Sequence, residues 1–225
     1  MRGPCPGLNT AANHGFINHS GKDLNLPDLI EGLAASMNMG ADFTTAISAI
    51  AFFSSPYPLG LSFTLSDLDQ HNFPIEHDAS ISRQDAYFGN DYSFNQSAYD
   101  QYFNYFGNNK TTDIKSISYA KDIRYQDSLK RNPTFTFGLR ETILSYGENA
   151  LYVQTLSDPL SGVAPLDYVR MFFEEEKFPY ELGWRPSNTP ITLLSLGAMV
   201  LELYTAGPEP IPEGVKIFEY VLTSI

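Results

Sequence analysis

The chain has 225 residues, enough for a sizeable buried core, and 43% of them are hydrophobic, including 16 Phe and 14 Tyr. Charged residues make up only 18%, which excludes a disordered tail and suits a folded apolar interior. The formal net charge of −12 repels phosphate backbones and anionic lipid, so nucleic acid and membrane surfaces are not expected partners.

At the N-terminus, Arg2-Gly3-Pro4-Cys5-Pro6-Gly7-Leu8-Asn9 places the only cysteine between two prolines, ahead of a helix expected to start near Leu8. A lone thiol forms no internal disulfide and is buried filler, a nucleophile or a ligand. Pro4 and Pro6 stiffen the loop and remove two N–H donors. The N–H groups from Gly7 onward and the positive helix end favour an anion, so a lowered thiol pKa is expected and a ligand role is favoured. A purely structural proline loop is the alternative.

Further along, Pro27 begins a helix with Leu29, Ile30, Leu33 and Ala34 on one face, broken near Met37 to Gly40. Ala41 to Phe53 continues with Phe43, Ile47, Ile50 and Phe53 at helical spacing. Tyr57 to Thr64 reads as a brief strand or a turn. Asn95 to Phe106 is a short aromatic helix, followed by helices over Asp113–Leu129, Leu139–Leu156, Leu166–Phe178 and Thr192–Tyr204. No set of strands builds a sheet, and no repeat or linker divides the chain. Residues 1–225 therefore read as one mainly α domain. The longest apolar run, Ile191 to Leu201, falls short of the roughly 18 residues needed to span a bilayer.

Two further segments carry chemistry. In Ile75-Glu76-His77-Asp78-Ala79-Ser80-Ile81-Ser82-Arg83, a helical turn would point Glu76 and Ser80 the same way. With a nearby carbonyl they form a hard-oxygen site suited to Mg²⁺; a helix N-terminus capped by Asp78 is the alternative, and His77 by itself is as well explained as structural. Glu148 shares a helix face with Leu144, Leu151 and Tyr152, where desolvation would raise its pKa toward a general-base value. Gly147 suits close approach of something bulky to the backbone; a half-exposed helix with Glu148 in water is the alternative. The acidic and aromatic stretch Phe172 to Pro186 reads as a helix end and an aromatic-clamped turn, its Glu run a solvated face.

Taken together, Pro4-Cys5-Pro6-Gly7-Leu8-Asn9-Thr10-Ala11-Ala12-Asn13-His14-Gly15, then Glu76-His77-Asp78-Ala79-Ser80-Ile81-Ser82-Arg83, then Glu148, resemble the fungal haem-thiolate peroxidases, the family of chloroperoxidase and the unspecific peroxygenases. Glu174 to Pro179 and Trp184-Arg185-Pro186 resemble the shorter peroxygenases, and the likeness runs from Arg2 to about Ile191. The resemblance implies a mainly α, single-domain haem-thiolate peroxidase fold with little β structure. It implies haem b with Cys5 as its axial thiolate, and Mg²⁺ (or Mn²⁺) held by the Glu76 and Ser80 side chains and the His77 carbonyl against a haem propionate. Glu148 would move a proton between the two oxygens of hydrogen peroxide, oriented or charged by His77. Ile75, Leu144, Gly147 and Leu151 would line the substrate pocket by proximity to those groups.

The activity so implied is peroxide-dependent oxygen insertion into C–H, C=C or aromatic substrates, with one-electron peroxidase activity beside it. Haloperoxidase chemistry or a dedicated secondary-metabolism oxidation is the alternative within the family. A non-catalytic haem or apolar-ligand carrier, or a divalent-metal helical protein without haem, is the alternative outside it. Secretion is implied by the resemblance, while no signal segment precedes Arg2 and the chain reads as a mature or trimmed form with an added Met. Sequons at Asn18, Asn95 and Asn109 are near chance number for this composition. With one cysteine, the expected state is a monomer or a non-covalent homodimer.

Overall fold

Cys5 takes extended backbone angles (φ −82°, ψ 108°) and stands as the N-cap of the first helix, α1, Pro6–Asn13. Pro6 supplies the fixed φ that a first helical position tolerates, so the helix starts two residues before the expected Leu8. The computed structural model describes residues 1–208.

A two-residue strand, β1 (Leu24–Asn25), leads into α2 (Leu26–Met37), where the Asn25 side chain accepts the Asp28 N–H at 3.1 Å. Asn38 ends α2 in the left-handed conformation (φ 51°), which an Asn tolerates well. The following helix, α3, runs Ala41–Phe52. A 3₁₀ turn at Pro58–Gly60 then precedes β2 (Ser62–Phe63), which pairs antiparallel with β1, Leu24 opposite Phe63. The sequence expectation of no sheet is corrected to this single short ladder, whose two-residue strands are too brief to produce a readable alternation.

Two helix faces also differ from expectation. On α2 the buried positions are Leu29, Gly32, Leu33, Ser36 and Met37, with Ala34 exposed. On α3 they are Phe43, Thr44, Ser48, Ala51 and Phe52, leaving Ile50 and Phe53 outward. Both helices carry small or apolar residues around much of their circumference. Periodicity therefore does not choose the docking face, and close contact between small residues does.

Helix α4 (Gln96–Phe103) continues as a 3₁₀ turn through Phe106; α5 spans Ile114–Arg131, α6 Leu139–Leu156, α7 Leu166–Glu174 and α8 Leu193–Ala206. The bounds of α6 match those read from periodicity. Helix α7 stops four residues before the expected Phe178, because the chain turns through Glu176 at φ 48°. Helix α6 forms the spine, packed against α8, α7 and α5. Its Ala150 and Val153 are fully buried, and Tyr152 is enclosed with Phe173 at 5.4 Å between ring centroids. The expected aromatic clamp is present: Phe178 stacks on Trp184 at 5.0 Å, and the indole N–H donates to the Thr155 carbonyl at 3.0 Å. This brings the segment after α7 against both α1 and α6.

Candidate active site

The Cys5 loop is built by its own backbone and by Asn9. The Asn9 N–H donates to the Cys5 carbonyl at 3.1 Å, while the Asn9 side chain closes a two-way bridge to Gly3, accepting its N–H at 3.0 Å and donating to its carbonyl at 2.8 Å. A Cβ at Gly3 would fall 2.0 Å from the Leu65 carbonyl oxygen, so only glycine permits this approach. Burial pushes the Cys5 thiol up, against the opposing pull of the Leu8 N–H, the Arg83 guanidinium and the Gly7 N–H. The expected lowered thiol is thereby corrected. Cys5 is half-buried by surface area, yet protein packed around the sulfur strips its solvation, and in a ligand-free chain that loss outweighs the helix end.

The segment from Ile75 to Arg83 is an irregular loop and not the expected helical turn, and Asp78 caps no helix. Ala79 adopts φ 62°, and its N–H donates to the buried Asp85 carboxylate at 3.0 Å. Asp85 also accepts from Ser128 Oγ at 2.9 Å and Asn132 Nδ2 at 2.9 Å, tying the loop to α5. Long-range bonds of this kind, which no local pattern announces, hold the loop in its shape.

Within that loop Ser80 Oγ donates to the His77 carbonyl at 3.2 Å, so two of the three expected cation-holding groups lie together. Glu76 is buried, and its Oε2 accepts from His71 Nδ1 at 2.8 Å and the Asn72 N–H at 2.9 Å. Glu76 also gathers with His71 and Asp91, their ligating atoms all within 4.8 Å of one another. His71 and Asp91 were not anticipated from the sequence; neither sits in a recognisable spacing with Glu76.

His77 and Glu148, 71 positions apart in the chain, come together, Nε2 to Oε1 at 4.0 Å. His77 is buried, and its Nδ1 donates to the Asp78 carbonyl at 2.7 Å, which leaves Nε2 as the acceptor facing Glu148 in the neutral ring. Burial lowers His77 to about 4. Burial likewise raises Glu148 to about 8, opposed by Lys121, the Ile81 N–H, Arg83 and Arg124. Both groups are therefore neutral over the range between. The Glu148 side chain keeps 29% exposure, but Oε1 itself is buried without a hydrogen-bond partner. A carboxylate so placed is desolvated by its surroundings and still faces an opening.

Along α6 that opening continues. Leu144, Gly147, Glu148 and Leu151 are all half-exposed, while Ser145, Tyr146, Asn149 and Ala150 on the other faces are buried. Nothing lies within 4 Å of the position a Cβ would take at Gly147. Ile75 is half-buried and packs against the core. The result is an apolar strip with one unsatisfied carboxyl oxygen, left uncovered in the middle of a largely buried helix.

The raised carboxyl has a consequence for stability. Between pH 4.5 and about 8 the folded chain holds a proton on Glu148 that the unfolded chain has released. Folding stability therefore falls with rising pH through this window. Glu148→Gln removes that slope. Its melting temperature should match the parent near pH 4 and exceed it increasingly up to pH 8, and parallel melting profiles for the two proteins would refute the assigned titration.

Residues 1–189 match the family described as Peroxidase, family 2. The chain is 29% identical to an aromatic peroxygenase of Cyclocybe aegerita, over 83% of this chain and 56% of that one. It is 26% identical to an aromatic peroxygenase of Coprinellus radians, over 85% and 81% respectively. To a chloroperoxidase of Leptoxyphium fumago it is 28% identical, over 95% of this chain and 63% of that one. Against the first of these the chain spans about half of the relative's length. Helices α1 to α7, the Cys5 loop and the Glu148 face all lie inside the matched region, and the chain belongs to peroxidase family 2.

Proposed function

We propose that the chain is a hydrogen-peroxide-dependent haem-thiolate peroxygenase that inserts oxygen into C–H, C=C or aromatic substrates, with one-electron peroxidase activity beside it. The carrying observation is the unpartnered Oε1 of Glu148, aimed at His77 on an uncovered apolar strip. Family membership and the relatives' names support the same reading.

The residues fit a thiolate-bound haem b. Cys5 offers a sulfur faced by the N–H groups of Leu8 and Gly7, and the open space over Gly147 admits a bulky flat group. When bound, the haem would supply the peroxide-activating redox chemistry. Cys5 would hold its iron, and the neighbouring N–H groups would temper the sulfur's donation. In its ionised form, which grows in population as the pH approaches about 8, Glu148 would take a proton from one oxygen of the peroxide and deliver it to the other, acting as base and then acid. A carboxyl poised near neutrality serves both directions. His77, neutral and fixed by its bond to the Asp78 carbonyl, would present Nε2 to orient Glu148. Ile75, Leu144, Gly147 and Leu151 would hold small apolar substrates and exclude water.

Glu76 and Ser80 by side chain and His77 by carbonyl would hold Mg²⁺ (or Mn²⁺) beside a haem propionate. The donor set is hard oxygen, and the carboxylate of the buried Glu76 has no Lys or Arg partner among the described residues. Residues 1–225 would act as one domain, secreted, as a monomer or non-covalent homodimer. Among the described residues no helix is long and apolar enough to cross a membrane.

Similarity to a chloroperoxidase favours halide oxidation as a second reading; a halide-dependent chlorination assay, run against product analysis with an aromatic substrate, separates the two. The first test is the absorption spectrum of the haem-supplied protein, reduced with dithionite and exposed to CO. A Soret band shifted strongly to the red and lost in Cys5→Ala is expected. A well-folded preparation that takes up no haem would overturn the proposal.

A further inference from the structure

Part of the aromatic core forms a line that leads out of the molecule. A Cβ at Gly7 would stand 3.8 Å from Phe172 Cζ and 4.0 Å from Cys5 Sγ, so sulfur and ring border the same small space. From Phe172 the rings follow one another: Phe173 at 5.4 Å between centroids, Tyr152 a further 5.4 Å on, then Tyr102 at 6.4 Å, Phe106 at 5.6 Å and Tyr105 at 6.5 Å. Each step is an ordinary aromatic contact. The first five rings are buried, and Tyr105 reaches the surface with 43% exposure. Midway, Tyr152 stands one turn of α6 beyond Glu148, about 6 Å along the helix axis.

The hydroxyls distinguish this line from plain packing. Tyr102 Oη donates to Asn149 Oδ1 at 2.7 Å and lies 2.8 Å from Tyr152 Oη. The single hydroxyl proton of Tyr102 is committed to Asn149, so Tyr152 is the donor in the second bond. A phenol that loses an electron becomes a strong acid and needs an acceptor for its proton. Tyr152 has one in the Tyr102 oxygen, and the proton returns when the electron is replaced. Tyr99, 5.5 Å from Phe173, has a buried hydroxyl without a partner among the described residues, so that branch offers no such exchange.

We propose that Phe172, Phe173, Tyr152, Tyr102 and Phe106 carry single electrons inward from Tyr105, which is thereby a second, surface site oxidising phenols too large for the apolar strip. The proposal rests on the peroxygenase reading for its oxidant, hydrogen peroxide acting through the haem. Tyr105 gives an electron inward and its phenolic proton to water, then takes both back from the substrate phenol, which leaves as a phenoxyl radical. Two such electrons and the two released protons convert one hydrogen peroxide to two waters.

Because Cys5 is the only cysteine, the route has a test that needs no haem. A thiol-reactive ruthenium bipyridyl photo-oxidant is attached to Cys5 of the full haem-free chain, with folding checked by circular dichroism. After a flash, with an external electron acceptor and a spin trap present, the trapped tyrosyl radical is located by mass spectrometry. Cys5→Ala mixed with the free complex gives the background. An adduct on Tyr105 is expected, reduced about tenfold or more in Tyr152→Phe and unchanged in Tyr99→Phe. In the haem-loaded protein with peroxide, Tyr105→Phe should lower turnover of a dextran-linked phenol by about tenfold or more, with oxygenation of a small aromatic substrate held within about twofold.

A Tyr105 adduct that persists in Tyr152→Phe would overturn the route, since that variant keeps the ring and removes only the hydroxyl. An undiminished turnover of the dextran-linked phenol in Tyr105→Phe, or an equal loss on both substrates, would overturn the surface site. Should the labelled chain fail to fold, the haem-loaded comparison decides, with Tyr152→Phe expected to match Tyr105→Phe. A chain that takes up no haem overturns the peroxygenase reading and the surface site with it. Haem uptake and small-substrate oxygenation with no effect of Tyr105→Phe overturn the surface site alone.

Discussion

Glu148→Ala is expected to leave the haem spectrum nearly intact while cutting peroxide turnover by about 10²-fold or more, the loss typical of a removed general acid–base group. Among Leu144, Gly147, Glu148 and Leu151 on α6, Glu148 has the one ionisable side chain, and its Oε1 accepts no hydrogen bond. Truncation leaves Ala150 and Val153 on the buried face untouched, so binding of a large planar group should survive. The outcome also separates an enzyme from a carrier, because a protein that only holds haem or an apolar ligand has no need of a proton donor there. Measured initial rates within a few-fold of the parent would remove Glu148 from the mechanism. Glu148→Gln should lose as much, since an amide keeps the shape and cannot exchange the proton.

The second large effect concerns stability. Asp85→Ala should cost about 3–5 kcal/mol, because it strands several buried groups at once. The Ala79 N–H, Ser128 Oγ and Asn132 Nδ2 each lose their acceptor, and Arg124 loses a carboxylate 3.7 Å away. Arg124 keeps Asp127 at 3.2 Å and the carbonyl of Ser80 at 3.0 Å, so its charge is not left wholly unpaired. Urea unfolding measures the loss directly. The stranded Ala79 lies between His77 and Arg83, so the surviving folded fraction should also bind haem less tightly. A midpoint unchanged from the parent would mean that the loop is held by something other than Asp85. Asp85 has no chemistry of its own in the site; its importance is that an irregular loop carries the site's groups and must be anchored group by group.

Much of the framework was legible in residue order. The bounds of α6 followed from its apolar spacing and Asp158-Pro159, those of α2 from Pro27 and the Asn38 region, and the start of α8 from Thr192, which accepts the Ser195 N–H. Each of these signals is local: a cap, a proline, or a period of 3.6 residues acts over one or two turns of backbone. Cys5 between prolines, and the Glu76 to Arg83 run, were visible for the same reason, as contiguous chemistry. The docking faces of α2 and α3 were not, since several faces were apolar and only the neighbours chose among them.

Tertiary structure decided the rest. It placed His77 Nε2 at 4.0 Å from Glu148, turned Glu76 toward His71 and Asp91, and converted Glu176 from an expected surface charge into the partner of Arg83 and Asn9. It also reversed the expected shift of the Cys5 thiol, because desolvation depends on how much protein surrounds a group and not on its sequence neighbours. Residue order sets which helices form and which reactive residues are present. Their pairing, burial and charge state were left to long-range packing, since contacts between residues 70 to 170 positions apart exist only once the helices have docked.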